Sequence, residues 1–183
     1  MKSESNYSLK KILQYSYTFL IFLMIIPTVY SIVILNIHTK KYDQIITNVS
    51  YANDINQIAK TTIPDELWDI VCGRKDFSQG NQYIMLNEIF SGIQAMKMNS
   101  KDSINQEKLE VAFRTCTTLS NNIKKLEQQI AKGYSVKENE AFLDDIRTIT
   151  ALFSDVMQDF IMSEISIANQ TNKSIKISSI TLT

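Results

Sequence analysis

The sequence predicts an all-α protein: an N-terminal transmembrane helix, then an up-down-up-down four-helix bundle with a short capping helix at its membrane-distal tip. Three observations predict it. The 183 residues include only four glycines and two prolines. Strand-rich folds need a turn about every 8–12 residues, so this chain is better suited to a few long helices. Residues 12–37, ILQYSYTFLIFLMIIPTVYSIVILNI, carry no charge. Two later stretches repeat apolar residues at steps of three and four.

The apolar run comes first. A bilayer core takes about 20 residues of helix, so residues 12–37 are long enough to span it with some tilt. Tyr15 and Tyr17 lie near one end and Tyr30 nearer the other, partly as an interfacial belt. Pro27 falls mid-span, where a kink is tolerated. A cleaved signal peptide is the rival reading. Its apolar core is only about 7–15 residues, and no A-x-A site follows here, so an uncleaved anchor is expected. Lys2, Lys10 and Lys11 precede the span, and Lys40 and Lys41 follow it. The charge bias is nearly balanced and favours a cytoplasmic N-terminus. The expected layout is cytoplasmic 1–11, transmembrane 12–37, extracytoplasmic 38–170, and a return to the membrane over 171–183. A second span would begin there if the chain continues.

Outside the membrane, Ile45, Val49, Ala52 and Ala59 continue a helix, with Asn56 on the same line and Ile55 and Ile58 beside it. It is expected to stop near Thr61, because Pro64 biases its predecessor away from helix. Pro64 then suits the first turn of a new short helix, with Asp65 and Glu66 at its positive end and Gly73 at its stop. A helix is expected from about 80 to 98, carrying Ile84, Leu86, Ile89, Phe90, Ile93 and Met96. Ser103 to Gln106 reads as a capping box. The stripe after it is Leu109, Ala112, Cys116, Leu119, Ile123, Leu126 and Ile130, ended by Gly133. Ser135 to Glu138 is a second capping box. It opens the stripe Phe142, Ile146, Ile149, Phe153, Val156, Phe160, Ser163 and Ile167.

Such stripes ask for partners at shallow crossing angles, as in four-helix bundles. At 1.5 Å per residue the 103–132 helix is ~45 Å long and the 81–98 helix ~27 Å. The first helix outside, 38–61, is ~36 Å. Segment 62–80 must therefore fill the far end of the bundle.

Composition narrows the function. The formal net charge is zero, which argues against a nucleic-acid partner. The one histidine, His38, cannot make a metal site or a triad without partners. Cys72 and Cys116 show no metal spacing. They are expected as two small buried side chains, with a disulfide as the alternative. No nucleophile, base or metal set stands out, so neither an enzyme nor a cofactor is expected.

Several short stretches carry a resemblance. They are Tyr42-Asp43 with Ile45-Ile46, Trp68-Asp69-Ile70-Val71 followed by Gly73-Arg74, and Gly80 with Gln82-Tyr83. Val111-Ala112 with Arg114-Thr115 and Phe160-Ile161 with Glu164 complete the set. Over about positions 40–167 the chain resembles the extracytoplasmic input region of a bacterial membrane sensor histidine kinase of the Gram-positive type. The resemblance implies a two-component signalling role, a homodimer, a cell-membrane location and a small-molecule, peptide or membrane-protein stimulus. The sequence departs from a whole kinase: it has no phosphoacceptor box and no glycine-rich nucleotide site. A chemoreceptor input domain and a single-pass structural or interaction protein are the alternatives.

The candidate ligand-binding residues are Trp68, Arg74, Lys75 and Tyr83. Trp68 is read first as a plug over the helix ends and second as a pocket wall. Arg74 and Lys75 would meet an anion, or else are solvated loop charges. Arg114 and Arg147 fall outside the core stripes.

Overall fold

The computed structural model describes the backbone of residues 3–180 and the side chains of residues 10–173. It contains five α-helices: α1 (Ser3–Gln57), α2 (Ile63–Val71), α3 (Gln82–Asn99), α4 (Ser103–Ala131) and α5 (Val136–Ile180). A π turn, Ile58–Thr62, joins α1 to α2, and a single 3-10 turn, Phe77–Gln79, precedes α3. No strand occurs among the described residues. The chain divides into two compact units, Met1–Tyr42 and Asp43–Thr183.

In the first unit, α1 is long and apolar enough to cross a membrane. Its large apolar side chains from Ile12 to Ile37 are exposed, apart from the half-buried Ile34. A helix that is apolar all round needs an apolar solvent or a protein interior. Pro27 lies inside it. The hydroxyls of Thr18, Thr28 and Thr39 donate to the carbonyls one turn back, at 2.8–2.9 Å, so they need no water.

In the second unit, the first helix does not stop near Thr61 as the sequence suggested. Gln57, Thr62 and Ile63 all keep right-handed helical dihedrals. The amide of Ile63 donates to the carbonyl of Ile58, five residues back. Proline has no N–H, and its ring crowds the carbonyl four residues earlier. Widening one turn accommodates Pro64 without ending the helix. The wider turn also keeps one buried line running through Ile45, Asn48, Ala52, Ile55, Ala59, Ile63 and Leu67. Residues 38–71 thus cover ~50 Å at helical rise, and the expected length deficit disappears. The short helix expected after Pro64 exists, but it continues α1 and does not lie as a separate cap.

The core joins α2, α3, α4 and α5 with the π turn and the last part of α1. α4 packs along α5 and also on α3, while the π turn and α2 pack on α5 and α3. Gly92 lets α1 approach α3 closely: a Cβ there would sit 2.8 Å from Cγ2 of Ile55. The α4 stripe is as expected, with Leu109 to Leu126 fully buried and Ile130 half-buried. The α5 stripe is rotated. Ile146, Phe153 and Phe160 are buried, but Leu143, Thr150, Met157 and Glu164 join them in place of Phe142, Ile149, Val156 and Ser163. Ile84 of α3 is exposed and not part of the core.

The caps divide in the same way. Ser135 and Glu138 form the expected reciprocal box: the Ser135 amide donates to Glu138 at 2.8 Å, and the Glu138 amide donates back to the Ser135 hydroxyl at 3.4 Å. At α4 the cap is Asp102, not Ser103. Its carboxylate accepts the Asn105 amide at 3.0 Å, as the stronger acceptor would. Gly73 and Gly133 have φ of 70° and 78° and end α2 and α4, a conformation that costs glycine nothing. Cys72 and Cys116 are both free thiols. Burial pushes the Cys116 thiol up to about 12. The expected return to the membrane over 171–183 falls mostly on side chains outside the described residues.

Candidate functional site

Two polar clusters lie at opposite ends of the second unit. The first contains every residue singled out from sequence at the far end. Trp68 of α2 is half-buried against the core, and the guanidinium of Arg147, from α5, lies 5.6 Å from its ring centroid. Trp68 packs on the core half-buried, while Leu67, Ile70 and Val71 beside it are buried. Arg74 bonds Asp69 at 3.0 Å, with both side chains largely in solvent. Lys75 bonds Glu66, which also accepts the Asn81 amide at 2.8 Å. Glu66 therefore fastens both ends of the loop between α2 and α3. The Lys75 ammonium holds its carboxyl below the usual carboxylate range. Tyr83 donates to Glu127 of α4 at 2.6 Å and packs near Phe77, with ring centroids 6.1 Å apart. Partial burial and the neighbouring Glu127 push the Tyr83 phenol above its usual range.

The structure gives each of the four candidates a partner. Arg74, Lys75 and Tyr83 each meet a carboxylate, so the cations are neutralised locally. Trp68 and Arg147 come from distant positions, and no sequence spacing pairs them. A loop held this way can present a fixed surface. Among the described residues no group of three or more His, Cys, Asp or Glu could hold a metal ion.

The second cluster lies where α1 enters the unit. Glu164 of α5 is only 3% exposed, and Asn48 of α1 and Asn105 of α4 are equally buried. The Asn105 amide donates to one oxygen of Glu164 at 2.6 Å, and the Asn48 amide makes a longer contact of 3.4 Å with the other. Three helices thus meet on one carboxylate. The carbonyl oxygens of both asparagines are buried without a hydrogen-bond partner among the described residues. Buried polar groups without partners are costly, so such a cluster makes this end sensitive to helix displacement. Sequence reasoning missed it. Asn48 and Asn105 lie outside the apolar patterns, and Glu164 sits one position beyond the expected stripe. The signal was present only as a polar residue at a helix-face position, which is usually solvated.

No family model, curated protein or solved structure matches this chain.

Proposed function

We propose that this chain is the membrane-anchored input module of a two-component sensor histidine kinase. Its second unit would be an extracytoplasmic, up-down-up-down four-helix bundle that works as a homodimer. The observation that carries the reading is α1 itself. One helix includes both an exposed apolar segment of membrane-spanning length and, in its last turns, core positions of the second unit. A stimulus at the far end, a small molecule, a peptide or a membrane protein, would repack the surface around Trp68, Arg74, Lys75 and Tyr83. The change would reach the membrane as a shift of ~1–2 Å between α1 and α5. The Asn48–Glu164–Asn105 cluster supports this, because it ties α1 to α4 and α5 at the end where α1 enters.

Two measurements test the reading. Washing native membranes with alkaline carbonate should leave the protein in the pellet; release into the supernatant would exclude a spanning anchor. The protein as made by its source cells should carry, after Thr183, an apolar run of ~20 residues and then a kinase with a phosphoacceptor histidine. A product without those segments would leave a single-pass interaction protein as the better account. A methyl-accepting output domain in their place would make it a chemoreceptor.

A further inference from the structure

Within the second unit, α4 and α5 leave a groove along their outer side. On α4 its wall runs from Lys108 through Val111 and Thr118 to Lys125, at helical spacing. This flank of α4 is turned away from α3. The α3 side is closed by Lys97 on Glu110 at 2.8 Å, by Phe90 against Phe113, and by Tyr83 on Glu127. On α5 the wall runs from Asp145 through Leu152 to Asp159, on the flank away from Arg147 and its contact with Trp68. The Lys108 ammonium donates to the Asp159 carbonyl at 2.8 Å, so the two walls meet.

The middle of this face is apolar and its ends are charged. Val111 and Leu152 are 44% and 55% exposed, over the half-buried Ile149 and Val156. Lys108 and Lys125 end the α4 wall, and Asp159 and Asp145 end the α5 wall. Among the described residues none of these four is in an ion pair. The short turn after Ala131 makes α4 and α5 antiparallel, and the Lys108–Asp159 contact fixes their register. Lys125 is 17 positions past Lys108, ~26 Å along α4, and Asp145 is 14 positions before Asp159, ~21 Å along α5. Lys125 and Asp145 therefore lie within ~5 Å of one level, as Lys108 and Asp159 do.

We propose that the α4–α5 groove is the seam of a homodimer whose two-fold axis runs along these helices. The face is complementary to itself, which is what a two-fold interface between copies requires. Rotation about an axis along the helices sets α4 against the partner's α5 and preserves every level. Each copy's Lys108 and Lys125 then oppose an aspartate at both ends, and the apolar centres meet between them. The other face-to-face rotation, about an axis across the helices, sets α4 against α4 with its levels inverted. Lysine would then oppose lysine and aspartate would oppose aspartate. The charges thus choose the axis, as complementary charges fix register more than they add affinity. An apolar centre with a charged rim is also the anatomy of a protein interface. The inference rests on the homodimer reading above and gives it a face and an axis.

The test uses the full chain in mild detergent, with mass measured by light scattering and folding checked by circular dichroism. Lys125 and Asp145 are exposed, so Lys125→Glu and Asp145→Lys should leave the fold intact. Each variant alone places like charges across the seam twice and should weaken the dimer at least tenfold. An equimolar mixture of the two restores both pairs and should dimerise like the parent. Folded variants that stay monomeric when mixed overturn the proposal, because the two charges would then act within one chain. A dimeric parent whose variants are unaffected overturns this face and leaves the homodimer standing. A crosslink through Ile165→Cys, ~140° around α5 from Leu152, in place of Leu152→Cys would do the same. A parent that is monomeric at every concentration overturns the homodimer and this inference together.

Discussion

The two ends of the second unit use similar polar groups under opposite conditions. At the far end, Glu66, Asp69 and Glu127 meet Lys75, Arg74 and Tyr83 at or near the surface. At the end where α1 enters, Glu164 meets Asn48 and Asn105 out of water. Exposed pairs exchange water for one another and gain little. Buried ones have already lost their water, so breaking them strands the remaining partners. The exposed pairs at the far end can therefore be broken at small cost, and the buried cluster at the other end cannot.

The largest effect should come from the buried cluster. Glu164→Ala strands two asparagine amides and opens a cavity. It should cost about 3–4 kcal/mol in thermal unfolding of the full chain in detergent, followed by helical circular dichroism. A loss under ~1 kcal/mol would mean that the cluster is hydrated and would end the contrast. Next comes Trp68→Ala, which removes a half-buried ring and its cation partner. A loss of ~2 kcal/mol is expected, and Arg147→Ala alone should cost only ~0.5–1 kcal/mol, the share of the cation–ring contact.

Glu66 should contribute ~1–2 kcal/mol, judged from Glu66→Gln at neutral pH, because it holds two ends of one loop. Its folded pKa is depressed, so its contribution is present above the unfolded value of 4.5. That contribution is lost as pH falls from there through the folded value. Parent and Glu66→Gln melting curves should converge in acid; a gap that persists there would remove the ion pair as the cause. The smallest effect belongs to Arg74→Ala, within about 0.5 kcal/mol of the parent, since both partners are solvated. A larger loss would mean that this end is more tightly built than its exposure suggests.

Much of the helical layout was legible in the sequence. The α4 stripe, the Ser135 box and the stops at Gly73 and Gly133 follow from local rules that tertiary contacts did not override. The break at Pro64 was misread, because proline's conflict with a helix can be relieved by one wider turn as well as by an end. The α5 stripe was misplaced by one position on alternate turns. Leu143 and Met157 were passed over for Phe142 and Val156, since a face with apolar residues on both sides has no unique centre by spacing alone. The candidate residues at the far end were found by their unusual chemistry. Their partners Asp69, Glu127 and Arg147 are assigned by the fold.

By itself the sequence determined the helical class, the exposed apolar segment near the N-terminus and most of the helix boundaries. These depend on composition, periodicity and capping groups, all of which act within a few residues. Only the tertiary structure decided that α1 runs on through a π turn, and that Trp68 lies beneath Arg147. It also decided that Asn48, Asn105 and Glu164 converge. Those outcomes depend on which helix faces meet. A polar residue on a helix face is solvated or buried according to a neighbour more than fifty positions away, and no local pattern encodes that choice.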